Sequence, residues 1–312
     1  MPISLEHVTR DIRFAIRQLR RNPGFAGTAV ITLAMGMAAT IAIFAFVDAV
    51  LIRPLPYRDS SRLVGVFERT EAFPQSNLSY ADYLDWKKLN TVFASLSAYQ
   101  GTGATLTASG GVERVAAARV SDDFFRTLGV EPTLGRNFHA GEDLPSAQGT
   151  ALLSYAAWQK RYGGRPNVVG EVVTLNDAPY VIIGVLPRSF HFAPAEPADF
   201  WLSLQAINPC EKRRSCHNLY GVARLRDGVT IEAASANIAA VAAQLEQQYP
   251  DSNRGQGSAI VRLEEVIIFP VTVFHVPLRF VCTEMFFEGS RLTNEICKAR
   301  RVIFSPCLVV SN

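Results

Sequence analysis

Read for polarity, the chain falls into three regimes: a mixed opening, an uncharged run from Asn22 to Val47, and short alternating apolar and polar blocks that continue to about Val266. The uncharged run, NPGFAGTAVITLAMGMAATIAIFAFV, shows no polar face at helical spacing. At a rise of 1.5 Å per residue, about 24 residues reach roughly 36 Å, enough to cross a hydrocarbon core of about 30 Å with some tilt. The pattern predicts one membrane-spanning helix over residues 25–52, within a segment 23–52. A cleaved signal peptide is the main rival, but its apolar core would be about 7–15 residues long and would end at a small-x-small site. This run is longer, and Asp48-Ala49-Val50-Leu51-Ile52-Arg53-Pro54 follows it.

The opening segment, residues 1–22, has its own periodicity. At about 100° per residue, Val8, Ile12, Ala15, Ile16 and Leu19 share one face, and Arg10, Arg13, Arg17, Arg20 and Arg21 share the other. That is a basic amphipathic helix suited to the headgroup layer, with a merely solvated helix as the alternative. The arginine excess before the span, against Arg53, Arg58 and Arg62 diluted by Asp59 and Glu68 after it, places the N-terminus in the cytoplasm. Within the span, Ala34, Ala38 and Ala42, then Ala45 and Ala49, form a small-residue stripe where a second helix could pack closely.

Beyond the stiff exit Arg53-Pro54-Leu55-Pro56, the alternating blocks predict a mixed α+β domain over residues 53–266. Ser79 is placed to cap a helix running through Trp86 and Leu89, and Ser121 to cap one over Asp122–Leu128 that ends at Gly129. Ser154 is placed to cap Tyr155–Tyr162 after a short strand, Ala151–Leu153. Glu171–Leu175 and Tyr180–Val185 read as a hairpin around Asn176-Asp177-Ala178-Pro179. Leu219–Leu225 reads as a strand, and Thr230 as the cap of a helix whose stripe is Ile231, Ala234, Ile238, Val241 and Leu245, stopped by Tyr249-Pro250.

Composition changes this picture little. A net charge of +3 in 312 residues, with the arginine excess local to the first 21, does not describe a nucleic-acid surface. The chain contains no GxxxxGK[ST], GxGxxG after a strand, GxSxG or HExxH. No residue is therefore assigned a catalytic, cofactor-binding or metal-binding role. His139-Ala140-Gly141-Glu142-Asp143 reads as a polar loop rather than a metal cluster. Tyr80, Tyr83, Trp86, Trp158, Tyr162 and Trp201 read as core residues. Of the five cysteines, Cys210 and Cys216 bracket a short loop followed by His217. A disulfide in an oxidising compartment, two free thiols, and a three-donor metal site of poor spacing are all open readings.

Three stretches carry a family likeness. DIRFAIRQLRRNPGFAGTAVITLAMGMAATIAIFAFVDAVLIRPLPYRDSSRLV is one, and VSDDFFRTLGVEPTLGRNF with LLSYAAWQKRYGG and VVTLNDAPYVIIGVLP is another. The last is GVARLRDGVTIEAASANIAAVAAQLEQQYPDSNRG. As an ordered set the chain resembles the MacB/FtsX-type permeases of ABC transporters. The resemblance implies an elbow helix, a first span, and a periplasmic core domain with a porter-like α/β lobe and an inserted strand-rich lobe. It also implies four spans in a bacterial inner membrane, a second permease subunit, and a separate ATPase that drives mechanotransmission. A membrane-anchored module that contacts an envelope partner is the alternative function. After Val266 the likeness stops: the best apolar run, Val266–Val281, contains Pro270, His275, Pro277 and Arg279 and does not read as a second span. Residues 267–312 are expected to be a poorly packed, frameshifted or otherwise aberrant tail, a natural short form being the alternative, and a chain lacking the later spans is not expected to transport alone.

Overall fold

The computed structural model describes residues 14, 17–47, 55–108, 111–192, 194–195 and 197–267. Arg10, Arg13, Ala49 and the tail from 268 lie outside the described residues. The apolar run forms one 25-residue helix, α1 (Pro23–Val47). Pro23 occupies the first helical turn, where a missing N–H leaves no bond unmade, and the Ala26 N–H donates to Asn22 O at 3.0 Å. Its hydroxyls are satisfied within the helix: Thr28 donates to Phe25 O, Thr32 to Thr28 O and Thr40 to Gly36 O, at 2.8–3.0 Å. Internal pairing of this kind is what a lipid environment requires of polar groups.

The domain that follows is built from strands β1 (Leu63–Arg69), β2 (Leu78–Ser79), β3 (Phe93–Ala108), β4 (Gly111–Val120), β5 (Leu134–Gly135), β6 (Thr150–Leu153), β7 (Val172–Leu175), β8 (Ala178–Val185), β9 (Phe200–Ser203), β10 (His217–Leu225) and β11 (Gly257–Arg262). Helices α2 (Tyr80–Leu89), α3 (Phe124–Leu128), α4 (Tyr155–Tyr162), α5 (Ile231–Gln248) and α6 (Pro250–Asn253) punctuate them. In the first lobe, β11, β1, β10 and the start of β3 make an antiparallel sheet. Helices α2 and α5 supply its core with Tyr83, Trp86, Ala234, Ile238, Val241 and Leu245, against Val64, Val66, Leu96 and Ala223 of the strands.

The second lobe is inserted between β3 and β10, and its strands close on themselves. β3 pairs β4, β4 runs parallel to β9, β9 pairs β6, β6 runs parallel to β8, β8 pairs β7, and β7 returns to β3 through Leu106↔Leu175 and Thr107↔Thr174. The ring encloses Leu106, Val115, Leu153, Val173, Leu175, Ile182, Val185 and Phe200. Strand β3 belongs to both lobes: its partner on one edge is β10 up to Tyr99 and β7 from Leu106. Gly101 and Gly103 lie between those two pairings, where a strand changing partners bends most easily. An aromatic layer joins the lobes. Tyr99, Phe124 and Phe192 meet with ring centroids 4.9–5.8 Å apart, and Phe125 sits 5.6 Å from Trp201.

Local signals place most elements well. Ser79, Ser154 and Thr230 accept from Asp82 N, Ala157 N and Ala233 N respectively, and Gly129 and Gly163 end their helices in the left-handed region. Two readings need correction. Helix α3 begins at Phe124, not Asp122, because the Ser121 hydroxyl donates to Asp123 Oδ1 and accepts from Ala98 N instead of capping. The hairpin turn is two residues, not four: Asn176 and Asp177 both take positive φ (51° and 61°), the geometry of a type I′ turn, so Ala178 and Pro179 already belong to β8. The stop at Tyr249-Pro250 stands, α5 ending at Gln248, and Pro250 then opens α6, since a proline fits the first turn of a helix.

Candidate functional site: the span exit and the clasped loop

Arginines fasten the first residues of the domain, from Arg58 to Arg62. Arg62 donates from Nε and Nη2 to Leu225 O at 3.0 and 2.6 Å, and pairs with Asp227. Arg224 donates to three backbone carbonyls: Thr127 O at 2.9 Å, Asp59 O at 3.1 Å and Arg58 O at 2.7 Å. Residues 58–62 are thereby stapled to the end of β10 and to the C-terminal end of α3, whose carbonyls favour a cation. Burial, followed by the charge of Arg62, lowers the pKa of Arg224.

At the other end of β10 lies a buried ionic cluster. Glu68 and Asp82 are almost fully buried. Glu68 Oε1 accepts from Ser79 N at 2.9 Å, and Oε2 lies 2.6 Å from His217 Nδ1. Asp82 accepts from the Ser79 hydroxyl (2.6 Å), Asn253 Nδ2 (2.8 Å) and Arg214 Nη1 (2.6 Å). Arg214 also reaches Asp85 at 2.7 Å and stacks 3.9 Å above the Tyr249 ring. The Glu68 carboxylate raises the pKa of His217 above its ordinary value, against a smaller opposing effect of burial.

Between these features is the loop 208–216. Cys210 and Cys216 come together across it, Cα atoms 5.4 Å apart, with their sulfurs joined. His217 turns away to Glu68, so the imidazole and the two sulfurs do not converge on a metal site. Glu211, also buried, meets Arg119 of β4 at 2.6 Å. The polar loop around His139 is organised by Arg136, which holds Glu142 at 2.7 Å, and among the described residues no group of three His, Cys, Asp or Glu is placed to hold a metal. Of the aromatic core candidates, Tyr83, Trp86 and Trp201 are buried, and Tyr80, Trp158 and Tyr162 pack partly buried at the cluster edges. Ala34, Ala38, Ala42 and Ala45 lie unburied along α1, and Arg17, Arg20 and Arg21 are exposed in the helical residues before it. A groove of about 620 Å³ runs along the outer face of β3 and β4, floored by Gly101, Gly103 and Ala116 and flanked by Arg114 and Tyr220.

Sequence reading missed Arg62, Arg224, Glu68, Glu211 and Arg214 as organising residues. A guanidinium that donates to backbone carbonyls leaves no pairwise signature in sequence. The charged run Glu211-Lys212-Arg213-Arg214 between the two cysteines was the one visible signal.

The described residues thus combine one helix long and apolar enough to cross a membrane with a two-lobed α+β domain. Residues 26–241, from inside α1 to inside α5, match the MacB-like periplasmic core domain, and the chain belongs to that family. Among solved structures it is similar to the periplasmic region of MacB from Actinobacillus actinomycetemcomitans, with 12% identity and a TM-score of 0.50, covering 73% of this chain and 99% of that one. It is similar also to a domain of a candidate permease protein from Porphyromonas gingivalis, with 16% identity and a TM-score of 0.52, covering 66% and 92%. At such identities the likeness carries the fold alone. No curated protein matches the chain.

Proposed function

We propose that the chain supplies the first span and the core domain of an ABC-type transporter permease. It is non-catalytic and works only with a second permease subunit and a separate ATPase. In this reading the N-terminus is cytoplasmic, the arginine face before α1 lies on the inner leaflet of a bacterial inner membrane, and the domain is extracytoplasmic. The alanine stripe is a packing face for another span, and motion of α1 passes into the domain rather than substrate passing through a channel. The observation that carries the reading is the family match running from α1 into both lobes, supported by the arginine staple that fixes residues 58–62 onto the domain. Affinity purification from native membranes tests it: an ATPase subunit is expected to copurify, and its turnover is expected to fall when Arg224→Met loosens the staple.

A second reading, a membrane-anchored module that contacts an envelope partner, is favoured by one feature. The segment after Val266 carries two prolines, a histidine and an arginine in its best apolar run, and so does not read as a returning span. Purification that yields an extracytoplasmic partner and no ATPase would select it.

A further inference from the structure

The loop 208–216 is short and polar, with three consecutive basic residues, yet it is held from two sides. Glu211 turns inward to Arg119 on β4, the strand that runs from the closed ring into the layer between the lobes. Arg214 turns inward to Asp82 and Asp85 on α2 and lies over Tyr249, just past α5. Lys212 and Arg213 point out and are exposed. The loop is therefore a clasp between the ring strand β4 and the helical layer of the first lobe. Its two turns, Arg213 N to Cys210 O and Cys216 N to Arg213 O, are closed at the ends by the cysteines. Those cysteines differ in access: Cys216 is 5% exposed, and Cys210 is only half-buried.

We propose that the Cys210–Cys216 bond is a thiol–disulfide exchange site, whose reduction by an extracytoplasmic dithiol oxidoreductase releases the clasp from both anchors. The incoming thiolate attacks Cys210 Sγ, the reachable sulfur. The bond between the two cysteines breaks, and Cys216 leaves as a thiolate that takes a proton from water. The second thiol of the reductant, as thiolate, then attacks the mixed disulfide, leaving the reductant oxidised and Cys210 as a thiolate that is protonated in turn. Two electrons pass from the dithiol to the loop, and the reverse sequence re-closes it. Opening a closed loop of about seven residues frees chain entropy that favours the undocked loop by roughly fifty-fold. The change stays local because Asp82 keeps its bonds from Ser79 and Asn253 when Arg214 leaves. The proposal goes beyond the permease reading and rests on it only for the compartment.

The loop carries its own reporter, since Lys212-Arg213-Arg214 is a tryptic site. In the full chain purified in detergent without reductant, with Cys282, Cys297 and Cys307 changed to Ser, dithiothreitol is expected to speed cleavage at residues 212–214 roughly fifty-fold, and reoxidation to restore protection. The Cys210→Ser/Cys216→Ser pair is expected to be cut at the fast rate in both conditions. Brief treatment of the oxidised protein with reduced glutathione is expected to trap the mixed disulfide on Cys210 about tenfold more often than on Cys216, because only Cys210 is reachable while the loop is closed. Equal cleavage with and without reductant, equal trapping on the two cysteines, or cleavage spread over the whole domain on reduction would each overturn the proposal. So would two thiols that stay alkylatable after the isolated protein has been reoxidised. None of these outcomes bears on ATPase copurification, so the two readings fail separately.

Discussion

The two lobes reach stability by different routes. The first lobe packs large side chains of two amphipathic helices, Tyr83 and Trp86 from α2 and Ile238, Val241 and Leu245 from α5, onto one face of a four-stranded sheet. Its helices are specified locally, by a cap, a stripe and a stop. The second lobe has no long helix and draws its core from medium-sized aliphatics enclosed by a ring of six strands, two of whose six pairings are parallel. Ring closure depends on contacts distant in sequence, such as Ala117 with Phe200, and no short window contains that information. The lesson is that a lobe can be fully regular and still be written non-locally. One strand, β3, makes the two lobes a continuous structure.

The three tryptophans offer a direct handle on this difference, because one serves each core: Trp86 the first lobe, Trp201 the aromatic layer and Trp158 the ring. The largest effect is expected from Trp86→Ala. Trp86 is 2% exposed and sits between α2 and the sheet, so the cavity should cost about 3–5 kcal/mol. Hydrogen exchange read lobe by lobe should show α2 and α5 losing protection while β7 and β8 keep theirs. Equal loss in both would mean that β3 couples the lobes into one unit. A smaller effect of opposite placement is expected from Gly184→Ala. A Cβ at that position would lie 2.6 Å from Leu134 O and 2.9 Å from the Leu152 side chain, at the tight β5–β8 pairing. Overpacking of this kind costs about 1–3 kcal/mol. A urea midpoint should fall accordingly, with the protection loss now confined to the ring.

How much of this was legible follows the same division. Ser79, Ser154 and Thr230 announced three helices because a side-chain oxygen before an apolar run has few other uses, and all three caps are formed. Ser121 misled for the complementary reason: its hydroxyl was engaged by Asp123 and by the β3 backbone at Ala98, and the second partner lies far away in the chain. β3 itself, the longest strand, passed unread because Ser, Gly and Thr interrupt its alternation, and the glycines serve the partner change between lobes. The strand-rich insertion was expected only through family resemblance, and its closure into a ring was not expected at all. After the span Arg53, Arg58 and Arg62 were counted for topology, whereas Arg62 and Arg224 bind carbonyls of segments far away in the chain.

The smallest effect, and the one that best sharpens the contrast, concerns pH. His217 starts β10 in the first lobe, and its pKa is held above the ordinary histidine value by the Glu68 carboxylate 2.6 Å away. A histidine whose folded pKa is raised binds its proton more tightly in the native state than in the unfolded one. Its contribution is therefore complete below the unfolded value of about 6.5 and is lost as pH rises through the folded value. Because the imidazole is a quarter exposed, solvent screens the pair, and the expected loss is below about 1 kcal/mol. Urea midpoints measured from pH 6 to 8.5 should thus drift downward, and His217→Gln should flatten the drift. Exchange protection should weaken at β2 and the start of α2, where Ser79 hangs on Glu68, and not in β7 and β8. A drift that persists in His217→Gln, or one seen equally in the ring, would place the titrating group elsewhere and remove this ionic pair from the list of differences between the lobes.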